Sequence, residues 1–246
     1  MSTKYIYTFG LIMTVVVALV LAGFKTLTAD VAARNEDIFN KRQILAAIAT
    51  PMAEAGQDVD ALSDEAVLEL FDNQVEQTVI NAEGEIIEGT MAIEVDMEQE
   101  KKKDEADRLY PLYTVNLDGS NYYIMSVRGN GLWDAIWGNI ALEDDLNTVA
   151  GVSFDHAGET PGLGAEIKDN QSWKNQFEGR KIYDDAGDFV SIVVRKGGAR
   201  NPEHEVDGLS GATVTADGVT KMLYTGLKAY EPFLQDIDKA SGMNLK

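Results

Sequence analysis

The chain has 246 residues, a formal net charge of −20 and no cysteine. A chain of this length can bury the core of one large domain or two modest ones. The absence of cysteine excludes disulfides, thiolate metal sites and cysteine nucleophiles within the chain, and the acidic balance argues against binding along nucleic acid, which requires a surface rich in lysine and arginine.

The first predicted element is a membrane anchor. The twenty residues from Tyr5 to Phe24 carry no charge and lie between Lys4 and Lys25. As a helix this run is about 30 Å long, which matches the hydrocarbon core of a bilayer. A cleaved signal peptide is the alternative, but its apolar stretch usually has only about 7 to 15 residues. Basic residues lie on both sides of the run, so the positive-inside rule leaves the orientation of the anchor undecided.

Two further helices are predicted before the first strand. Apolar residues recur from Ala29 to Ala49, and this juxtamembrane pattern stops at Thr50 because the residue before a proline disfavours helix. Ser63 is placed to cap a second helix over residues 64–71.

Short strands separated by turns are predicted next. They pair as three hairpins, 78–81 with 85–89, 112–116 with 122–127, and 139–142 with 149–155. The charged run EQEKKKDEADR at 98–108 separates the first two hairpins and is typical of a solvated loop or a surface helix.

The C-terminal part is predicted to hold two helices and one strand. A short helix runs from Ser172 to Gly179, a strand covers 189–196, and an amphipathic helix covers about 216–234 with Thr215 as its N-cap. Hairpins with segregated helices indicate an α+β fold, here one N-terminal transmembrane helix followed by a mixed, mainly antiparallel sheet with packed helices. The predicted regions are the anchor at 1–28, the juxtamembrane helix and N-terminal part of the soluble region at 29–108, and the main domain at 109–246.

The sequence does not contain the residue patterns that several kinds of active site require. The two histidines, His156 and His204, have no partner at helical spacing, and His204 is expected in a surface loop. The stretch Gly129-Asn-Gly131 lacks the third glycine of a dinucleotide fingerprint, and no glycine loop continues into Gly-Lys-Ser/Thr. We therefore predict no catalytic side chain and no metal site.

The stretch DGLSGATVT at 207–215 predicts a binding site for a phosphate group. Ser210, Gly211 and Ala212 are small, so an anion can approach the backbone closely, and glycine tolerates a positive φ. A helix start follows, whose free N–H groups and positive dipole end favour phosphate. The alternative is an ordinary turn between a strand and a helix, because such turns are common.

A second loop, GETPGLG at 158–164, favours the binding interpretation. It presents Leu163 among turn-forming residues, and the glycines at 162 and 164 clear space around that side chain. A flat ring could lie against such a surface.

These stretches carry a resemblance to a known family. DGLSGATVT, GETPGLGAEI at 158–167 and GNGLWDAIWG at 129–138, together with the single anchor, resemble the signature stretches of the C subunits of sodium-translocating NADH:quinone reductases. The SGAT and ETPGLG pieces are shared by the wider FMN-binding domain family, which includes the G subunit of the Rnf electron-transport complex.

The resemblance implies that Thr213 holds one FMN per chain through a phosphoester on its hydroxyl. It further implies that Thr160, Gly162 and Leu163 meet the isoalloxazine ring and that Trp133 packs near it. Trp137 is the weaker candidate, since a core tryptophan explains it equally well. Asp207 and Ser210 are expected to shape the loop, not to react.

The same resemblance implies a setting in the cell. The chain would be an electron carrier in a membrane complex that passes electrons from NADH to ubiquinone while sodium leaves the cell. Its partners would be the other subunits and a flavin transferase, and its soluble part would lie on the periplasmic side of the bacterial inner membrane. The alternatives are the Rnf subunit, which works between ferredoxin and NAD, and a membrane-tethered binding protein without a redox group.

Overall fold

The structure is a computed structural model that describes residues 2–241. Residues up to Asn40 form one compact unit, and a second unit begins at Lys41. Helix α1, Thr3–Ala46, runs for 44 residues, and it is the one helix in the described range that is long and apolar enough to cross a membrane. The structure therefore confirms an N-terminal apolar helix of spanning length.

Helix α1 also corrects the expectation of a separate juxtamembrane helix. The anchor and the segment from Ala29 onward form one continuous helix that ends at Ala46. No glycine or proline lies between Phe24 and Ala46, so no residue in this stretch interrupts the backbone hydrogen bonds of the helix.

Pro51 does not prevent helix formation, contrary to the sequence expectation. Helix α2, Ala49–Glu54, contains this proline in its first turn. The N–H groups of a first turn have no partner within the helix, so the missing proline N–H costs nothing there. Helix α3, Asp64–Gln74, confirms the predicted cap, because the hydroxyl oxygen of Ser63 accepts a hydrogen bond from the Ala66 N–H at 3.2 Å.

Five antiparallel strands form the main sheet in the order β1-β2-β3-β4-β5. Their bounds are β1 Val75–Ile80, β2 Tyr110–Leu117, β3 Ser120–Asn130, β4 Ala135–Leu142 and β5 Val149–His156. The second and third predicted hairpins are confirmed as β2-β3 and β4-β5. Asp118 and Gly119 join β2 to β3 with positive φ angles of 51° and 93°, as a tight two-residue hairpin turn requires.

Two strand predictions are wrong in part. The return arm predicted at 85–89 is reduced to a single bridge between Ile80 and Ile86. The strand predicted at 189–196 shrinks to β6, Val193–Arg195, because Ser191 adopts a left-handed φ of 60° that breaks extended backbone. Strand β6 pairs in parallel with β7, Glu205–Asp207, as a separate two-stranded sheet.

Three short helices lie between the strands. Helix α4 is Met97–Glu100, α5 is Glu166–Asp169 and α6 is Gln171–Lys174. The helix predicted from Ser172 to Gly179 is shorter, because α6 begins at Gln171 and ends at Lys174, and the Asn170 side-chain oxygen caps it by accepting from the Trp173 N–H at 3.1 Å. The charged run at 98–108 is largely exposed, as predicted.

The last helix, α7, Thr213–Ser241, covers one face of the main sheet. Its predicted inward residues are all buried: Val219, Met222, Leu223 and Leu227. Strand β3 separates two cores, with Met125 and Val127 packed on the α7 side and Ile124 on the opposite side with residues of α2 and α3. This alternation follows from the two-residue period of a strand.

We expect Tyr230→Phe to reduce the free energy of unfolding by about 1 to 3 kcal/mol, because the change removes a buried hydroxyl donor from the backbone carbonyl groups beside it. The fully buried Tyr230 hydroxyl lies 2.8 Å from the Pro111 carbonyl oxygen and 2.9 Å from that of Ser126. Burial raises its pKa well above the usual value, so the hydroxyl keeps its proton. Denaturant unfolding of the detergent-solubilised chain measures the loss. Tyr224→Phe, at an exposed ring on the same helix, is the control, and equal losses in both variants would contradict the prediction.

Candidate functional site

The predicted phosphate site lies where β7 passes into α7. Strand β7 ends at Asp207, and α7 begins at Thr213, which is half-buried. Ser210 and Gly211 are exposed, whereas Ala212 is buried beneath them. The first-turn N–H groups of a helix have no acceptor within it, and within residues 2–241 those of Thr213 and Val214 find no backbone acceptor elsewhere. A threonine hydroxyl therefore stands at a helix end suited to an anion.

Thr215 does not cap α7, contrary to the sequence expectation. The helix begins two residues earlier, and Thr215 is fully buried in its first turn. Its hydroxyl donates to Glu159 Oε2 at 2.7 Å and lies 3.2 Å from the Leu163 carbonyl oxygen. This threonine connects α7 to the second predicted loop instead of closing its own helix end.

Gly211 brings the two predicted loops into direct contact. Its φ is +78°, and a Cβ atom at this position would lie 2.5 Å from the Gly162 carbonyl oxygen. A side chain would push the loops apart, so the close approach requires glycine here.

The loop at 158–164 presents its predicted ring-binding residues to solvent. Thr160 and Gly162 are exposed, and Leu163 is 40% exposed. The carboxylate of Glu166 accepts hydrogen bonds from the N–H groups of Gly162 and Gly164. These bonds hold the pKa of Glu166 below its usual value and fix the bend that presents Leu163.

The loop at 131–134 completes the surface. The Gly131 N–H donates to the Asp134 carbonyl oxygen at 2.8 Å, and the Trp133 side chain between them is 65% exposed. Trp137 lies apart from this loop on β4, half-buried, with the Arg128 guanidinium 5.2 Å from its ring centre. An exposed tryptophan at a tight turn is the kind of side chain that packs against a planar ligand.

Glu159 joins these segments, and the sequence reasoning did not identify it. Its side chain is buried, and Oε1 accepts from the backbone N–H of Trp133 at 3.0 Å and of Asp134 at 3.4 Å. Burial alone would raise the pKa of Glu159, but these hydrogen bonds and the one from Thr215 outweigh it and hold that pKa below its usual value. In the sequence, Glu159 is a carboxylate inside a glycine-rich loop, and a carboxylate in such a loop is usually expected to be solvated.

A cleft of about 510 Å³ opens beside Thr213. Thr213 and Ser210 line it together with one cationic side chain, Lys196, and two acidic ones, Asp207 and Asp217. Asp207 Oδ1 accepts from the Ala199 N–H at 2.8 Å, so this side chain bonds to a neighbouring loop, and its expected role in shaping the 207–215 loop stays a prediction. Lys196, which sequence reasoning missed, is the cationic side chain of this lining.

Both histidines support the backbone. The Glu159 N–H donates to His156 Nδ1 at 3.1 Å, and His204 Nδ1 lies 2.7 Å from the Lys181 carbonyl oxygen. Within residues 2–241 no group of three or more histidine and acidic side chains is arranged to hold a metal ion. The site therefore offers a hydroxyl, anion-binding N–H groups and exposed apolar side chains.

Comparison with known proteins gives a consistent result. The family model described as the FMN-binding domain matches residues 131–228, which include all three loops. A Pseudomonas aeruginosa protein, named as the C subunit of a Na(+)-translocating NADH-quinone reductase, is 30% identical over 266 residues, covering 97% of each chain. A Vibrio anguillarum protein of the same name is 44% identical over 123 residues, about half of each chain.

Two solved structures share the fold. One, from Parabacteroides distasonis, is likewise the C subunit of a Na(+)-translocating NADH-quinone reductase, with a TM-score of 0.71 and 35% identity, covering 82% of this chain and 94% of that one. The other, NqrC from Shewanella oneidensis, has a TM-score of 0.66 and 25% identity, covering 81% of this chain and 99% of that one.

Proposed function

Because the chain belongs to the family of C subunits of the sodium-translocating NADH:quinone reductases, we propose that it is an electron-transfer subunit with FMN covalently bound to Thr213. The observation that carries this proposal is the position of the Thr213 hydroxyl. It lies at the start of α7, beside a glycine contact that joins two loops, and it lines an open cleft. The FMN-binding domain match extends over this region.

The residues present fit an FMN phosphate. The Thr213 oxygen would form the ester, and Ser210, Gly211 and Ala212 leave the backbone N–H groups accessible. Lys196 lines the same cleft and would offset the charge that the phosphoester retains.

The residues around the second and third loops fit an isoalloxazine ring. Leu163 and Trp133 expose apolar surface, and Thr160 and Gly162 add little bulk between them. The loops that carry Leu163 and Trp133 are joined through Glu159, so their exposed side chains offer apolar surface that a ligand could cover. We propose that these four residues contact the ring.

Thr213 is a tether in this proposal and not a catalytic residue. FMN supplies the capacity to accept and donate electrons, and attachment through phosphate leaves the ring atoms unsubstituted. The protein can then tune the ring only through packing, hydrogen bonds and nearby charge. One threonine gives one FMN per chain.

The proposed setting is the respiratory complex for which the relatives are named. In it the chain relays electrons from NADH toward ubiquinone, with α1 as the anchor and the soluble part on the periplasmic side of the inner membrane. A flavin transferase would attach FMN, and residues 109–246 would form the domain that carries it. The relatives favour this complex over the Rnf complex, because one of them matches along 97% of the chain.

Mass measurement of the full-length chain, produced with and without a flavin transferase, tests the proposal. With the transferase, the peptide that contains Thr213 is expected to gain the mass of FMN less one water, and the chain should fluoresce in a denaturing gel. A chain that remains unmodified with an active transferase would contradict the proposal and favour a membrane-tethered binding protein without a redox group.

A further inference from the structure

Glu159 is a buried carboxylate to which the proposed function gives no part. It is 5% exposed, and within residues 2–241 hydrogen-bond donors, not a lysine or arginine, balance its charge. A buried charge without adequate partners is strongly unfavourable, so a fold that keeps one must satisfy it completely. Its position therefore calls for an explanation beyond solubility.

The carboxylate contacts three separate parts of the chain. Oε1 accepts from the Trp133 N–H at 3.0 Å, and Oε2 accepts from the Thr215 hydroxyl at 2.7 Å, while Glu159 itself belongs to the loop of Leu163. The packing leaves no spare room, because a Cβ atom on Gly131 would lie 2.5 Å from Oε1. A Cβ atom on Gly164 would lie 2.9 Å from Oε2.

We propose that Glu159 is a positioning residue, whose carboxylate holds the loops of Trp133 and Leu163 in fixed register with the helix turn that carries Thr213. The consequence for flavin binding rests on the proposed function, whereas the coupling of the three segments does not. Without this carboxylate, the N–H groups of Trp133 and Asp134 lose their acceptor. The first turn of α7 also loses the hydrogen bond from Thr215 that connects it to the loop at 158–164. Residues in one hydrogen-bond network are energetically coupled, so a substitution at Glu159 should change the local stability of all three segments.

Glutamine tests geometry separately from charge. Its amide oxygen can accept from Trp133 and Asp134 as Oε1 does, and its amide nitrogen can donate to the Thr215 oxygen. The Thr215 hydroxyl then points to the Leu163 carbonyl oxygen, 3.2 Å away. Glu159→Gln should therefore preserve the register, whereas Glu159→Ala should lose it.

Amide hydrogen exchange of the flavin-free chain is the first measurement. In Glu159→Ala we expect the amides of Trp133 and Asp134 to exchange about tenfold faster than in the wild type. Glu159→Gln should stay closer to the wild type than to the alanine variant. Tyr230→Phe is the control for a general loss of stability, because it removes a buried hydroxyl elsewhere on α7 and should leave these two amides unchanged.

Fluorescence anisotropy of the attached flavin is the second measurement. In chains modified by the transferase, Glu159→Ala should lower the anisotropy, because the ring is no longer held by the two loops, and Glu159→Gln should restore it. If the wild type carries no flavin, the proposed function fails, and the exchange measurement still decides the coupling.

Three results would overturn the inference: unchanged exchange in Glu159→Ala, an equal change in Tyr230→Phe, or a glutamine variant no better than alanine. If Glu159→Ala does not fold, Thr215→Val replaces it, because that change removes the Oε2 donor and the contact with the Leu163 carbonyl oxygen but keeps the bonds of Oε1. It should lower the flavin anisotropy and accelerate the Trp133 and Asp134 amides less than tenfold. No change in either quantity would then reject the proposal.

Discussion

Replacing Thr213 with valine is expected to reduce covalent flavin to background while the fold stays intact. Valine keeps the β-branched shape of threonine but has no hydroxyl, so a phosphoester cannot form. Thr213 is half-buried at the first position of α7, so the change in unfolding free energy should stay within about 0.5 kcal/mol. In-gel fluorescence and the mass of the Thr213 peptide measure the loss.

Thr225→Val is the matched control for this change. Thr225 lies on the same helix, is exposed, and donates its hydroxyl only to the Lys221 carbonyl oxygen of the preceding turn, at 2.8 Å. It should keep full flavin content. Covalent flavin in Thr213→Val at the wild-type level would show that another side chain carries the cofactor.

Gly164→Ala is expected to reduce the free energy of unfolding by about 3 kcal/mol. Gly164 has a φ of +144°, so alanine adds backbone strain. The new Cβ would also lie 2.3 Å from Thr215 Oγ1 and 2.7 Å from Thr215 Cβ, which forces the first turn of α7 away from the loop. Denaturant unfolding measures the loss.

Gly56→Ala separates backbone strain from crowding. Gly56 has a φ of +83°, and a Cβ atom there would have no heavy atom within 4 Å. The change should cost only the strain of the positive φ, about 1 kcal/mol. If Gly164→Ala and Gly56→Ala reduce the free energy of unfolding equally, crowding against Thr215 contributes nothing to the loss in Gly164→Ala.

The parts of the fold that depend on neighbouring residues could be predicted from the sequence. The Ser63 cap satisfies an N–H three residues away, and the β2-β3 hairpin follows from Asp118-Gly119 between alternating strands. The buried face of α7 follows from its 3.6-residue period. In each case the decisive interaction lies within a few residues of the signal.

The errors arise where distant residues decide the local structure. Thr215 has the side chain of an N-cap, but its hydroxyl bonds to Glu159, which is 56 residues earlier in the chain. Glu159 looks like a loop carboxylate, and only the approach of α7 and the 131–134 loop buries it. The strand predicted at 189–196 has β-forming residues, yet the left-handed φ of Ser191 interrupts it, and Val193–Arg195 is the part that pairs with β7.

The connection of Glu159 with Thr215 and Trp133 sets an order of events during biosynthesis. Thr213, the proposed attachment residue, comes about eighty residues after Trp133 in the sequence, and it belongs to the last helix of the described chain. A nascent polypeptide emerges N-terminus first, so the hydrogen bond between Glu159 and Thr215 cannot form until that helix has been synthesised and has docked. We therefore expect the proposed attachment of flavin at Thr213 to follow the docking of this helix, and a chain that stops upstream of the helix to remain unmodified.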